Sequence, residues 1–199
     1  MIPYLIFNKD KKKTVILVHG LFTREGFWLE YLSHFKGYKI IILKVDYMTL
    51  QIDKISEHIT LIIKNECRGH TDLLITHSLG SIISECLQNS AIKYIFNVAP
   101  VVNARRLNGY EFKNGISSSL NDKIPKDEIE LMLKNANDLI KKTRARVLNK
   151  QQTSFLKNLI PNHDEYFNYD GTKNIQIFKG DHFNIEEALN EIMKLIKYS

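Results

Sequence analysis

The chain has 199 residues, of which 44% are hydrophobic and 25% are charged. The length suits one α/β domain with a substantial core, and the composition is ordinary for a globular protein. No run approaches the roughly 20 apolar residues that span a bilayer, and no signal peptide or low-complexity linker is recognisable. Cys67 and Cys86 lie far from any C-x-x-C pattern. We therefore interpret them as buried, reduced thiols and expect a cytoplasmic protein.

The net charge of +6 lies entirely in residues 101–160, which contain twelve Lys or Arg and six Asp or Glu. Four of the six arginines fall in this segment, and arginine binds carboxylate and phosphate better than lysine does: Arg105, Arg106, Arg144 and Arg146. Two interpretations stay open. The cations form a solvated helix face near a helix C-terminus, where the dipole favours them, or they contact an acidic partner or an anionic substrate group. No nucleic-acid-binding module is recognisable.

The first half of the chain alternates between predicted strands and predicted helices. Apolar and β-branched runs predict strands at 4–7, 14–20, 38–47, 72–78 and 92–100. Apolar residues at helical spacing predict helices at 24–35, 51–67 and 79–89. This alternation predicts an α/β fold, in which a parallel sheet carries helices on both faces and right-handed crossovers link the strands.

The alternation breaks after Pro100. Residues 101–124 are polar and show no regular pattern, and apolar residues at helical spacing predict one long amphipathic helix at 127–148, with an acidic start and a basic end. The pattern further predicts strands near 155–161 and 174–180 and a helix over 184–198. We interpret the inserted segment, from 101 to about 153, as a lid over the strand ends, where open α/β sheets bind ligands.

The stretch "LLITHSLGSIIS" brings a predicted strand to Ser78 and turns at once into a helix. The sequence Thr76-His77-Ser78-Leu79-Gly80 in this setting is typical of a nucleophile elbow. Its tight turn strains the serine backbone, and Gly80 lets the helix pass close to the strand. Ser78 Oγ is then presented at a helix N-terminus, whose partial positive charge favours an alkoxide-like nucleophile. The backbone N–H of Leu79 is positioned to face a developing oxyanion.

With this motif the chain resembles the α/β-hydrolase superfamily over nearly its whole length. The family pattern is G-x-S-x-G, and Thr76 replaces the first glycine here. The resemblance implies a mostly parallel twisted sheet with a helical lid, formed by residues 1–199 as a single domain. In the family, the residue after His-Gly at the end of the first buried strand provides a second oxyanion N–H. In "VILVHGLF" this residue is Leu21, with Phe22 beside it at the substrate.

The resemblance also implies a catalytic triad in the order Ser78, Asp164, His182. "GDHFN" after the last strand places His182 where the family keeps its general base, and "LIPNHDEYF" places Asp164 at a strand end. Asp170 is the nearest alternative for the acid, and Glu165 is another. We expect four neighbouring residues to have other roles: His19 structural, His77 pointing away from the site, and Asp181 in a turn, with Asp46 in another turn.

These features predict a serine hydrolase that cleaves an ester or thioester of a small to medium acyl group, without metal or cofactor. Compact family members with helical lids that act on acyl-carrier proteins are similar in size, lid position and lid charge. An acidic acyl-carrier protein is therefore a candidate partner, in demethylating a pimeloyl-carrier ester of biotin synthesis or in thioesterase off-loading. A non-catalytic binding protein on the same scaffold is the main alternative, because fold alone does not establish chemistry. A lipase-like enzyme at a membrane surface is another.

Overall fold

The computed structural model describes residues 1–87, 91–106, 124–147 and 155–197. Its strands are β1 (Tyr4–Phe7), β2 (Lys13–Val18), β3 (Tyr38–Leu43), β4 (Thr71–His77), β5 (Ile92–Val98), β6 (Arg105–Arg106), β7 (Phe155–Pro161), β8 (Phe167–Asn168) and β9 (Ile175–Phe178). Seven of them form one sheet in the order β1-β3-β2-β4-β5-β7-β9, and β6 pairs with β8 in a separate ribbon. In the large sheet β1 is antiparallel to β3 and all other neighbours are parallel, which confirms the predicted mostly parallel sheet.

The central strands are continuous apolar runs because helices cover both of their faces. Ile16 of β2 lies opposite Ile41 of β3 and Leu74 of β4, and none of the three side chains is exposed. Burial on both faces removes the polar alternation that a half-solvated strand would need.

Because the central strands are parallel, their carboxyl ends meet at one edge of the sheet. The site described below lies at this edge.

Helices pack on both faces of the sheet. They are α1 (Ile55–Glu66), α2 (Ser81–Cys86), α3 (Lys126–Val147) and α4 (Glu186–Lys197). One half of the core contains the apolar faces of α1, α2 and α3, and the other half contains α4 and the segment Glu25–Phe35. The predicted helix at 24–35 is a 3-10 helix, with Trp28 and Phe35 fully buried. None of the helices in the described ranges is long and apolar enough to cross a membrane.

Several predicted elements have different bounds in the structure. The strand predicted at 38–47 ends at Leu43, and the helix predicted at 79–89 starts as a 3-10 turn before its α-helical part, Ser81–Cys86. Residues 88 and 89 of that prediction lie outside the described residues. The start of the segment predicted to be irregular is ordered, because Val101 and Val102 are apolar enough to be buried in the core next to α3 and the chain then forms β6.

The inserted helix α3 follows the ribbon strand β6 in sequence and packs against α2. Its inward face buries apolar side chains at helical spacing: Ile129, Leu133, Ala136 and Leu139. Polar contacts hold it at several points along its length. Asn135 donates to the carbonyl of Tyr47, Arg144 donates to the carbonyls of Val102 and Ala104, and Arg146 pairs with Asp53. The interpretation of residues 101 to about 153 as a lid stays a prediction.

Candidate active site

The chain turns sharply at Ser78, where β4 ends. His77 is extended, Ser78 has a φ of +51°, and Gly80 already has helical dihedrals. A positive φ is uncommon for a residue with a side chain and stores strain, which is typical of functional sites. The turn leaves Ser78 partly exposed in the lining of a pocket, while His77 and Leu79 on either side of it are buried.

Two glycines give the turn its clearance. A Cβ built on Gly20 would lie 2.8 Å from the Cβ of Ser78, and one built on Gly80 would lie 2.8 Å from the carbonyl oxygen of His19. Neither glycine has a positive φ, so close approach of the backbone is what excludes a side chain at these positions. The loop after β2 and the turn after β4 are therefore in direct contact.

Thr76 occupies the position where the family pattern has its first glycine, and the elbow forms with it. Its side chain is fully buried, and its hydroxyl donates to Oδ1 of Asn97 in β5 over 2.7 Å. Asn97 in turn donates to Oδ1 of Asn158 in β7 over 3.0 Å. The buried hydroxyl is thus satisfied, which avoids the desolvation cost of an unpaired polar group.

The structure brings Ser78, Asp164 and His182 together in one hydrogen-bonded chain. Nε2 of His182 lies 2.8 Å from Oγ of Ser78, and Nδ1 lies 2.9 Å from Oδ2 of Asp164. The carboxylate of Asp164 can only accept a hydrogen bond, so Nδ1 of His182 carries the proton and donates to it. In this tautomer Nε2 has no proton and accepts from the hydroxyl of Ser78. The side chains of His182 and Asp164 are 4% and 3% exposed, so the pair is screened from water.

Asp164 accepts four hydrogen bonds. Its Oδ1 receives the backbone N–H groups of Tyr166 and Phe167 at 2.8 and 3.0 Å, and its Oδ2 receives Nδ1–H of His182 and the hydroxyl of Tyr169. Burial alone raises the pKa of this carboxyl. The hydrogen bond and charge of His182, together with the other donors, outweigh burial and hold the pKa below its usual range.

The other candidate acids lie elsewhere. Asp170 is exposed, with its N–H bonded to Asn168, and Glu165 is exposed beside His163. Asp181 accepts the N–H groups of Phe183 and Asn184, as expected of a turn residue.

The two other histidines near Gly20 have structural contacts. Nδ1 of His19 donates to the carbonyl of Gly20 and Nε2 accepts the N–H of Val45, which confirms the expected structural role. We expected His77 to point away from the site. It does not line the pocket, but its Nε2–H donates over 2.7 Å to the backbone carbonyl of His182, so it contacts the loop that holds the base. Its ring stacks on Phe27. Complete burial lowers the pKa of His77 to about 3, so the ring is neutral at ordinary pH.

The pocket in front of Ser78 is apolar. It holds about 490 Å³ of empty space, including the part that is open to solvent. Besides Ser78 and His182, its lining comes from the loop after β2, the elbow, the segment after β5, α3 and the aromatic side chains around His182: Leu21, Phe22, Leu79, Val101, Leu133, Ala136, Ile140, Tyr166, Phe167 and Phe183. Phe167 stacks on the imidazole of His182, with ring centroids 5.1 Å apart. The predicted site residues Leu21, Phe22 and Leu79 therefore line the same pocket as Ser78 and His182.

The four arginines have different surroundings. Arg105 is exposed in the ribbon, and the side chain of Arg106 lies outside what the structure describes. Arg144 donates to two backbone carbonyls, and Arg146 forms an ion pair of 2.5 Å with Asp53. The described arginines line no part of the pocket in front of Ser78.

No family model matches this sequence, and no curated protein matches it. Solved structures do. A monoacylglycerol lipase from Paleococcus ferrophilus is 16% identical with a TM-score of 0.67, over 98% of this chain and 96% of the other. A carboxylesterase from Nitrososphaera gargenis is 11% identical with a TM-score of 0.63, over 98% and 92%. An α/β hydrolase fold protein from Burkholderia ambifaria is 12% identical with a TM-score of 0.63, over 100% and 94%.

This chain has the α/β-hydrolase fold. At such low identities the similarity establishes the architecture alone, so any statement about the chemistry of this chain has to come from its own site residues. Two contacts of that site went unrecognised in the sequence, those of His77 and Tyr169. His77 stands at the variable position of the elbow motif, and no motif includes Tyr169.

Proposed function

We propose that this protein is a serine hydrolase that cleaves carboxylic esters. The observation that carries the proposal is the chain of two hydrogen bonds, 2.8 and 2.9 Å long, that joins Ser78 to His182 and His182 to Asp164. This arrangement supplies a nucleophile, a base within reach of its proton, and a carboxylate that orients the base. A serine that only capped a helix would need neither the positive φ at Ser78 nor the buried imidazole beside it.

The reaction follows from these contacts. As Oγ of Ser78 attacks the acyl carbon, its proton passes to Nε2 of His182. The protonated imidazole then gives this proton to the departing alcohol oxygen, and the acyl group stays on Ser78. Water enters, loses a proton to Nε2 of His182, and attacks the acyl carbon. The bond between that carbon and Oγ of Ser78 then breaks, Oγ takes the proton back from His182, and the acid leaves.

The backbone amides of Leu21 and Leu79 are proposed to stabilise the oxyanion of both tetrahedral intermediates. Both residues line the same pocket as Ser78. Each donor contributes about 3 kcal/mol of transition-state stabilisation if it behaves like oxyanion donors elsewhere. Asp164 stays ionised, holds the imidazole in the tautomer with the proton on Nδ1, and stabilises the imidazolium that forms during each attack.

The pocket supports an uncharged apolar acyl group, with Phe22 beside it. Three residues of α3 contribute apolar side chains to the lining, which are Leu133, Ala136 and Ile140. One similar structure is a monoacylglycerol lipase and another a carboxylesterase, which supports an ester as the substrate. We propose that α3 and its flanking segments, from 101 to about 153, act as a lid within a single domain.

An acidic acyl-carrier partner has less support. Arg144 and Arg146 already have protein partners in the structure, and the described arginines lie away from the pocket lining. A carrier-bound thioester therefore remains secondary to a free ester. Arg105 is the exposed cation with which docking of a carrier would be tested first.

The test is hydrolysis of p-nitrophenyl esters with acyl chains from two to twelve carbons. We expect turnover by the wild-type protein and a loss of at least about 10⁴-fold in kcat for Ser78→Ala and for His182→Ala. Ser33→Ala is the matched control, because Ser33 is an exposed serine of the 3-10 helix, and it should leave the rate unchanged. Hydrolysis that persists in Ser78→Ala, or a wild-type protein inert on every ester, would contradict the proposal.

A further inference from the structure

Tyr169 contacts the same carboxylate oxygen as His182. It follows β8, and only 8% of it is exposed. Its hydroxyl donates to Oδ2 of Asp164 over 2.5 Å, while Nδ1–H of His182 donates to that oxygen over 2.9 Å. The tyrosine oxygen is also 3.5 Å from Nδ1 itself. Oδ2 of Asp164 therefore accepts from two side chains, His182 and Tyr169. The hydroxyl of Tyr169 has no role in the reaction described above.

The remaining contacts of Asp164 show how tightly this carboxylate is held. A carboxylate accepts at about four positions, and Oδ1 uses two of them for the backbone N–H groups of Tyr166 and Phe167. These backbone donors belong to the turn that Asp164 starts, so they fix the carboxylate to its own loop. Tyr169 and His182 fill the other two positions. Oδ2 cannot rotate away from the imidazole without losing the tyrosine hydroxyl.

We propose that Tyr169 is a positioning residue of the triad, which locks Oδ2 of Asp164 toward His182 and withdraws part of the negative charge that faces the imidazole. The proposal rests on the serine hydrolase function proposed above. It adds a fourth group to that site, one that acts on the base through the acid. Burial and the neighbouring carboxylate raise the pKa of the Tyr169 phenol, so the hydroxyl stays protonated and remains a donor over the working pH range.

The charge argument has a definite sign. A donor to Oδ2 shares the carboxylate charge, so less of it stabilises the imidazolium of His182. Removing the donor should make His182 more basic, and strengthening the donor should make it less basic. The low-pH limb of kcat/KM reports protonation of the general base, so the midpoint of that limb should move up in the first case and down in the second.

Other titratable groups lie beside the pair and have to stay constant in the test. The ring of His77 is 5.4 Å from that of His182 and neutral through burial, and the ring of Tyr166 is 5.9 Å away. Glu165 and Asp181 are the exposed carboxylates next to Asp164 and His182 in the chain. Solvent screens the effect of these two carboxylates on Asp164 and His182. A substitution at Tyr169 leaves the residues at all four positions unchanged.

The test compares two changes at Tyr169 with opposite expected effects. Tyr169→Phe should raise the midpoint of the acid limb by about half to one pH unit. It should also lower the limiting kcat by roughly tenfold with little change in KM. Site-specific replacement of Tyr169 by 3-fluorotyrosine keeps the hydroxyl, makes it a stronger donor, and should lower the midpoint. Because the fluorinated residue nearly preserves shape, it also serves if Tyr169→Phe does not fold.

Tyr47→Phe is the matched control. Tyr47 is also a buried tyrosine with a hydrogen bond of 2.5 Å, but it donates to the neutral backbone carbonyl of His19. Its removal should leave the midpoint of the acid limb in place. NMR titration of the His182 ring, which does not depend on turnover, should show the same two opposite movements for the Tyr169 variants.

The possible outcomes separate the two proposals. Opposite movements of the His182 titration with no Ser78-dependent hydrolysis would retain the role of Tyr169 in positioning Asp164 and His182 and overturn the serine hydrolase function. Normal hydrolysis with a midpoint that neither Tyr169 variant moves would overturn the role of Tyr169 alone. A shift of the same size in Tyr47→Phe would also overturn it, because the effect would then follow from any lost tyrosine hydrogen bond.

Discussion

Replacing Gly20 with Ala adds one methyl group at the contact between the loop after β2 and the elbow. The new Cβ would lie 2.8 Å from the Cβ of Ser78 and 3.2 Å from Nδ1 of His77. Carbon atoms in contact are normally about 3.5–4.0 Å apart. Ser78 or the loop must therefore move back by roughly 0.7–1.2 Å. His77, on the other side of the new methyl group, is fully buried and leaves little room.

A displacement of this size matters more for activity than for folding. A misplacement of about 1 Å can cost about 10²-fold in rate, because Oγ of Ser78 has to meet both the acyl carbon and the base. Overpacking a buried contact costs about 1–3 kcal/mol of stability. We expect Gly20→Ala to fold, to lose about 10²-fold in kcat/KM on a p-nitrophenyl ester, and to unfold at a lower urea concentration.

Gly37→Ala is the control, since a Cβ there has no atom within 4 Å and its φ is not positive. It should keep the wild-type kcat/KM and be as stable as the wild type or slightly more so. Wild-type activity in Gly20→Ala would refute the reasoning, because it would mean that the elbow can move without loss of the Ser78 geometry.

Three further substitutions test other parts of the site. Asp164→Asn should lower kcat by about 10⁴-fold, because the amide favours the wrong tautomer of His182, and circular dichroism should show an intact fold. His77→Gln should flatten the acid side of the stability profile measured by urea unfolding. Burial lowers the pKa of His77 to about 3, whereas a histidine in the unfolded chain has a pKa near 6.5. Between these two values the unfolded chain binds the extra proton, so the free energy of unfolding of the wild type falls by up to about 1.4 kcal/mol for each unit that the pH drops below 6.5. Ala136→Phe, which adds bulk on the pocket face of α3, should shift the preferred p-nitrophenyl ester to shorter acyl chains while the acetate is still cleaved.

The sequence identifies the elements of this site well, because they depend on local patterns. The elbow is a strand, a serine and a nearby glycine within a dozen residues, and the loop with His182 follows the last strand. Their positions in the structure agree with the pattern at Ser78 and His182. For the acid, sequence order and the end of a strand favour Asp164 over Asp170, and the hydrogen bond to His182 is made by Asp164.

Local sequence patterns do not predict contacts between distant segments of the chain. The bond from His77 to the backbone of His182 spans 105 residues, and a residue at the variable position of the elbow carries no sign of it. Thr76 departs from the glycine of the family motif, yet its hydroxyl is satisfied by Asn97, which lies on another strand. The β6–β8 ribbon also joins distant segments, and its two-residue strands are too short to show any periodicity in the sequence.

The proposal that Ser78 is an activated nucleophile can be tested on the protein itself, without knowledge of its substrate. The purified protein is treated with a fluorophosphonate, digested, and analysed by mass spectrometry for the modified peptide, with Ser78→Ala and His182→Ala treated in parallel. One phosphonyl group per chain on Ser78, absent from both variants, is the predicted result. An unlabelled wild-type protein, or a label on another serine, would contradict the assignment and favour a binding protein on the hydrolase scaffold.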